Sequence, residues 1–262
     1  MKIITWNINS VRLRMPLIKQ LVAEQNPDIL CLQETKAEDH VFPALDLKSL
    51  GFTHLAFAGQ KSYNGVCILS KVPLTNIMTE RFVNDDKRHI RATLPNGTEL
   101  HNFYIPAGGD IPDTKLNPKY DHKLRFVEEM TAYFTKKRSK KDSIIILGDF
   151  NIAPLEHDVW SSKQLQNVVS HTPPERERIE KLRASLAWVD SARHFVPENE
   201  KLYSWWSYRN QDWRKSNRGR RLDHIWVTPV LEKSLKATQT LVDSRDWASP
   251  SDHVPVIIEL KK

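Results

Sequence analysis

Asp149 and Asn151 are the residues whose types and spacing most suggest chemistry. They stand in Leu147-Gly148-Asp149-Phe150-Asn151, after the apolar run Ser143-Ile144-Ile145-Ile146 and before Pro154. A run of that length rich in β-branched residues reads as a buried strand. Residues two apart on a strand share a side, so the pattern predicts both polar side chains on one cleft, with Phe150 turned into the core. Gly148 allows a close backbone approach at the same point. Read alone, the stretch also fits a plain strand end with a polar turn.

The other apolar runs end in the same way. Asn7, Asn9, Glu34, Tyr104, Asp223, Asp252 and His253 all fall at strand ends or in the turns beside them. In α/β folds ligands bind at such ends, so the joint pattern says more than any one residue. Carboxylate and amide oxygens without clustered Cys or paired His favour a hard cation, Mg²⁺ with Mn²⁺ as a substitute, over zinc. A divalent oxygen site beside a histidine suggests phosphate ester chemistry, in which Asp or His orients or deprotonates a water.

The elements that position these residues follow from periodicity. Ile3 to Ile8 reads as a strand; Leu13, Leu17, Leu21 and Val22 recur at helical spacing; Asp28 to Gln33 reads as a second strand. The pattern repeats later, with Leu100 to Tyr104, then Leu124, Val127, Met130 and Phe134 on one helix face, then Ser143 to Leu147. Between these units Gly65 to Ser70 and Arg88 to Leu94 read as strands, with Pro95-Asn96-Gly97 as a hairpin turn. After Pro154 the chain reads as helical and polar through Asp190, apart from a loop at Thr172-Pro173-Pro174, and strands return at Leu222 to Val227 and Val254 to Leu260. No low-complexity linker appears, so residues 1–262 are expected to form one domain, an α/β sandwich of two packed sheets flanked by helices.

Composition agrees with this class. With 262 residues and 40% hydrophobic content the chain can bury a sizeable core. No apolar run approaches the roughly 20 residues of a membrane span, and no targeting segment is read at the N-terminus, so a cytoplasmic protein that avoids membranes is expected. Cys31 and Cys67 both sit in apolar runs and are expected to be buried thiols rather than a disulfide. The net charge of +7 suggests a polyanionic partner. The cations are unevenly placed: Lys136 to Lys141 closes a helix, Arg176 to Arg183 forms a second run, and Arg209 to Arg221 is interleaved with aromatic residues from Trp205 to Trp213.

At this point the residues carry a resemblance. Trp6-Asn7-Ile8-Asn9 with Arg12, Leu32-Gln33-Glu34-Thr35-Lys36, Tyr63-Asn64-Gly65-Val66 and Tyr104 with Pro106 cover the first half. Gly148-Asp149-Phe150-Asn151 with Pro154, Asn217-Arg218-Gly219 with Arg221-Leu222-Asp223, and Ser251-Asp252-His253-Val254-Pro255 follow in the second. Together, in this order, they resemble the exonuclease III family of apurinic/apyrimidinic endonucleases. The resemblance implies a four-layer α/β sandwich and a monomeric, Mg²⁺-dependent hydrolase. Its expected reactions are cleavage of duplex DNA 5′ to abasic sites and removal of nucleotides or blocking groups from 3′ ends.

Carried onto this chain, the resemblance makes Glu34 the principal metal ligand, supported by Asn7 and Asp252. Asp149 activates water or protonates the leaving oxygen, Asn151 assists, and Asp223 positions a phosphate-contacting His253, with Tyr104 also on the phosphate. Trp205 and Leu222 wall the pocket for a flipped abasic sugar, Trp206 packs in the core, and Arg209, Asn217 and Arg218 meet DNA. The whole run from Arg214 to Arg221 is expected on phosphates or in the duplex, with the alternative that two of these arginines, Arg221 first among them, simply pair with acids. Three positions depart from the family pattern: Arg220 replaces a bulky apolar pocket residue, Ala107 an amide, and Asn9 an Asp. Arg220 is what favours the alternative of an enzyme specialised for 3′ ends. Two further alternatives are a catalytically silent binding protein, against which Glu34, Asp149, Asn151 and His253 all speak, and an inositol or lipid phosphatase, against which the Trp-rich segment speaks.

Overall fold

The apolar runs of the sequence become strands in the computed structural model, which describes residues 1–210 and 212–261. The strands are β1 (Lys2–Asn7), β2 (Ile29–Gln33), β3 (His54–Ala58), β4 (Val66–Ser70), β5 (Thr75–Met78) and β6 (His89–Thr93) in the first half. Then come β7 (Glu99–Tyr104), β8 (Ile144–Asp149), β9 (Val189–Asp190), β10 (Asp223–Val227), β11 (Leu235–Thr240) and β12 (Val256–Leu260). They form two six-stranded mixed sheets, ordered β11-β12-β1-β2-β4-β3 and β5-β6-β7-β8-β10-β9.

Each sheet is built on one parallel pair. β1 and β2 run parallel, joined by the helix Met15–Gln25, and β7 and β8 run parallel, joined by the helix Pro118–Lys137. These strands are apolar on both faces because both faces are covered. Ile3, Ile29 and Cys31 of one sheet meet Leu100, Ile145, Leu147 and Ile225 of the other in the central layer. On the outside, Ile4, Trp6, Leu30 and Leu32 pack on Leu17, Ile18 and Leu21 of the first helix. Ile144 and Ile146 pack on Val127, Met130 and Phe134 of the second, joined by Ile179 and Leu182 of the helix Pro173–Ser185. The result is an α/β sandwich of four layers.

Several local expectations are corrected. Leu13 precedes its helix and is 66% exposed, so the buried stripe begins at Leu17. Thr172-Pro173-Pro174 is not a loop but a helix start. Thr172 is the N-cap of Pro173–Ser185, and the Glu175 carboxylate accepts from the Thr172 N–H and hydroxyl. Proline at the first helical positions fits because those N–H groups have no partner within the helix. Strands β3, β5, β9 and β11 lie in stretches with no strong alternation and were not expected.

Other expectations hold. The turn Pro95-Asn96-Gly97 joins β6 to β7, with Leu94 N–H donating to Thr98 O. Cys31 and Cys67 are both buried free thiols; Cys31 faces the layer between the sheets and Cys67 the outer helical layer. Among the described residues no helix is long and apolar enough to cross a membrane.

Candidate active site

Parallel pairing puts the C-terminal ends of β1 and β2 together, and likewise those of β7 and β8, at one open end of the sandwich. Asn7 closes β1 and Glu34 follows β2. Tyr104 and Asp149 are register partners at the ends of β7 and β8, and Asp223, the first residue of β10, lies opposite Asp149. Asp252 and His253 lie just before β12, which runs antiparallel beside β1. Six strands thus deliver their polar ends to one place.

Asp149 and Asn151 do meet, but not by strand alternation. Asn151 has left the strand with φ +53°, and its N–H donates to Asp149 Oδ1 at 2.9 Å while its Nδ2 donates to Asp149 Oδ2 at 3.1 Å. The turn brings the pair together and leaves Phe150 fully buried. Gly148 has φ +133°, and a Cβ there would lie 1.9 Å from Phe103 O, so only glycine fits between β7 and Asp149.

A dense hydrogen-bond network surrounds Asp149. Asn7 Nδ2 donates to Asp149 Oδ2 at 2.8 Å and to Glu34 Oε1 at 2.9 Å, and Tyr104 OH donates to the same Glu34 oxygen at 2.7 Å. His253 Nδ1 lies 2.8 Å from Asp223 Oδ2, and its Nε2 lies 3.6 Å from Asp149 Oδ2. Asp223 accepts a further bond from Ser204 Oγ at 2.7 Å.

Charge is concentrated here away from water. Burial is the main force raising the Asp149 carboxyl, to about 7, helped by the charges of Asp223 and Glu34 and opposed by His253 and Asn7. Burial would depress His253, but the carboxylates of Asp223 and Asp149 outweigh it and lift the imidazole to about 10. An Asp near 7 beside a held imidazolium can exchange a proton at neutral pH.

Glu34 is the best-placed carboxylate for a cation. Burial acts to raise it, yet hydrogen bonds from Asn7 and Tyr104 and the charge of Lys36 keep it below its usual value. Its second oxygen already carries a cation, the part-exposed Lys36 ammonium at 2.9 Å. Asp252 also lines the cleft, with its Oδ2 accepting from Trp205 Nε1 at 3.0 Å. The donors are all oxygen, so the residues fit a hard divalent ion displacing Lys36. Asp149, Asp223 and His253 also lie within 4.8 Å of one another. That group suits an ion less well, because the His253 nitrogen facing Asp223 is already engaged.

The cleft in front of these residues measures about 640 Å³, and Glu34, Tyr104, Asn151, Trp205, Leu222, Asp252 and His253 line it. Arg209 and Arg218 stand exposed on its rim. Asn217, exposed and next to Arg218 in the chain, closes the helix Trp213–Ser216 at φ +42° through its backbone N–H, and its Oδ1 accepts from Trp206 Nε1 at 3.1 Å. Trp206 is core. Two arginines of the run are tied to acids, Arg221 to Asp158 and Asp190 and Arg214 to Asp243 and Asp246.

Some supporting residues have no sequence signal. Ser204 holds Asp223, and Lys123, fully buried against Glu175, donates to the Asn151 carbonyl at 2.7 Å. His224 donates to Ile152 O at 2.9 Å and stacks on Phe150, bracing the Asp149 turn. Burial pushes its imidazole down to about 4, helped by the Arg221 charge. Unfolding restores a value near 6.5, so the unfolded chain binds the extra proton, and this stability is present above pH 6.5 and lost as pH falls toward 4. The full loss is roughly 3 kcal/mol. Urea midpoints between pH 7.5 and pH 4.5 should fall further for the native chain than for His224→Gln; equal falls would exclude this cause.

Known proteins share the fold. The model of the endonuclease/exonuclease/phosphatase family matches residues 4–253. Exodeoxyribonuclease III of Haemophilus influenzae is 31% identical over 274 residues, spanning 100% of both chains. An AP endonuclease from Archaeoglobus fulgidus superposes with a TM-score of 0.92 at 32% identity, and a 3′ phosphatase from Neisseria bound to a product DNA hairpin with 0.90 at 32%, each covering 100% of both chains. The chain belongs to the endonuclease/exonuclease/phosphatase family, in its exonuclease III branch of metal-dependent nucleases.

Proposed function

We propose that the protein is a monomeric, Mg²⁺-dependent hydrolase that cuts duplex DNA on the 5′ side of abasic sites and trims 3′ ends. The observation that carries the reading is Asp149, buried and raised to about 7, held between Asn7, Asn151 and the His253–Asp223 pair just behind the cleft that Asn151 and His253 line. The relatives named for abasic endonuclease, exonuclease and 3′ phosphatase activity support it.

In this reading Glu34, Asn7 and Asp252 hold the ion, which when bound polarises a phosphoryl oxygen and eases departure of the leaving oxygen. The His253 imidazolium, fixed by Asp223, and the Tyr104 hydroxyl meet the negative phosphate oxygens. Asn151 orients the water, and Asp149 takes its proton or supplies one to the departing 3′ oxygen. Trp205 and Leu222 face the flipped sugar, while Arg209 and Arg218 neutralise neighbouring phosphates and make binding salt-dependent.

A second reading keeps this chemistry but serves 3′ ends with little abasic incision. It is favoured by the Arg220 guanidinium, which lies against the Trp205 ring. A duplex carrying one tetrahydrofuran abasic analogue, incubated with Mg²⁺ or with EDTA, separates them. The first reading expects a nick at the analogue with Mg²⁺ and none with EDTA. Efficient 3′ trimming without a nick would replace it by the second, and inactivity on both would sink the two together.

A further inference from the structure

Arg220 is the anomalous cation of the cleft. Arg221, its neighbour, is bound by Asp158 and Asp190, and Arg214 by Asp243 and Asp246. Arg220 pairs with no carboxylate among the described residues. Its Nη1 donates to the Val169 carbonyl at 3.0 Å and to Ser170 Oγ at 2.7 Å, and its Nε is buried with no partner. Glu175, an acid near enough to act on it, is already held by Lys123 at 2.5 Å. A partly buried guanidinium lacking a counter-charge is costly, and an anion entering the cleft relieves that cost.

Its position says which anion. Trp205 pairs through its backbone with His253 on one side and with Arg220 on the other. Adjacent extended segments lie about 5 Å apart, so Arg220 stands one segment beyond the histidine, across Trp205. Its guanidinium carbon lies 5.2 Å from the Trp205 ring centroid, and both residues line the cleft in which an abasic sugar would pack. A neutral deoxyribose gains nothing from that charge and has to displace it. A terminal phosphate needs no room for a following sugar and carries one more negative charge than an internal diester.

We infer that Arg220 is a specificity residue that selects DNA 3′ ends carrying a terminal phosphate over internal abasic sites. The inference rests on the nuclease reading above. The reaction it favours is hydrolysis of the monoester: water oxygen bonds to phosphorus, the bond from phosphorus to O3′ breaks, O3′ takes a proton, and inorganic phosphate leaves beside a 3′ hydroxyl.

The test compares two duplexes of one sequence, a recessed 3′ phosphate and an internal tetrahydrofuran, with the native chain, Arg220→Ala and Arg220→Lys. The native chain is expected to favour the 3′ phosphate. Loss of a charge-assisted hydrogen bond should raise KM for that duplex roughly ten- to hundredfold in Arg220→Ala, with little change in kcat. In the same variant kcat/KM on the tetrahydrofuran duplex should rise, and Arg220→Lys should recover part of the KM. An unchanged KM for the 3′ phosphate, or an equal loss on both duplexes, overturns the inference while leaving a working nuclease. A native chain inactive on both duplexes removes the nuclease reading itself.

Discussion

Asp149→Asn should lower the single-turnover rate of DNA cleavage by about 10²- to 10⁴-fold, the range for losing a general acid or base. The amide has the same shape but cannot carry a proton at neutral pH. The side chain is buried, and His253 is held by Asp223 through Nδ1 with its Nε2 3.6 Å from Asp149, so no second carboxylate stands ready to take the place of Asp149. Affinity should be preserved, because the cations of the rim, Arg209 and Arg218, lie away from the substitution. Fluorescence anisotropy with a labelled duplex should therefore give a Kd close to that of the native chain. A variant that cleaves at the native rate would remove Asp149 from the chemistry, and one that loses binding in proportion would make its role structural.

The largest expected effect on stability lies behind the cleft. Asp158 is fully buried and accepts from Arg221 Nε at 2.8 Å, Arg221 Nη2 at 2.9 Å, Arg193 Nη2 at 2.5 Å and the Leu155 N–H at 3.0 Å. Replacing it by alanine strands two guanidinium groups in a low-dielectric interior, with Asp190 alone left to answer Arg221. Removing one partner of a buried pair in this way costs about 3–5 kcal/mol. Urea denaturation should show that loss for Asp158→Ala and a smaller one for Asp158→Asn, which keeps an acceptor. A change below about 1 kcal/mol would mean that the network is no stronger than a surface pair. Arg221 also precedes Leu222 and Asp223 in the chain, so the same variant should disturb the cleft wall.

Much of this arrangement is legible in the sequence because each half repeats a strand, a helix and a strand with polar residues at the same ends. Buried parallel strands must be apolar on both faces, and that makes Ile3 to Trp6 and Ile144 to Leu147 stand out. The polar residues that interrupt them then mark the end at which a ligand is met. Strands β3, β5, β9 and β11 are less visible: β5 is exposed along its length and β11 is only partly buried, so neither needs a regular apolar side. The turn at Asn151 resembles strand in the sequence because a two-residue spacing is also what an Asx turn uses. Thr172-Pro173-Pro174 is ambiguous in the sequence because proline marks loops and first helical turns alike.

The site is legible to a different depth. Carboxylates, amides and His253 are recognisable by type, but the contacts that hold them arise from distant segments. Ser204 on Asp223 and Lys123 under Asn151 are ordinary residues whose separations in sequence are 19 and 28. Asn217 shows the converse. It stands in a motif that the resemblance assigns to DNA contact, and it also serves the fold: its backbone N–H closes a helix and its Oδ1 accepts from Trp206. Arg220 and Arg221 are adjacent and identical in type, yet one is neutralised in the interior and the other faces the cleft, a difference decided only by where Asp158 and Asp190 lie.

In the proposed mechanism water attacks phosphorus at this site and the 3′ oxygen leaves. Cleavage of a tetrahydrofuran duplex in H₂¹⁸O with Mg²⁺, followed by mass spectrometry of both fragments, tests it most directly. The account predicts one ¹⁸O atom in the 5′ phosphate of the downstream fragment and an unlabelled 3′ hydroxyl on the upstream one. Label in the 3′ hydroxyl, or a strand break that leaves the phosphate on the upstream fragment, would contradict it.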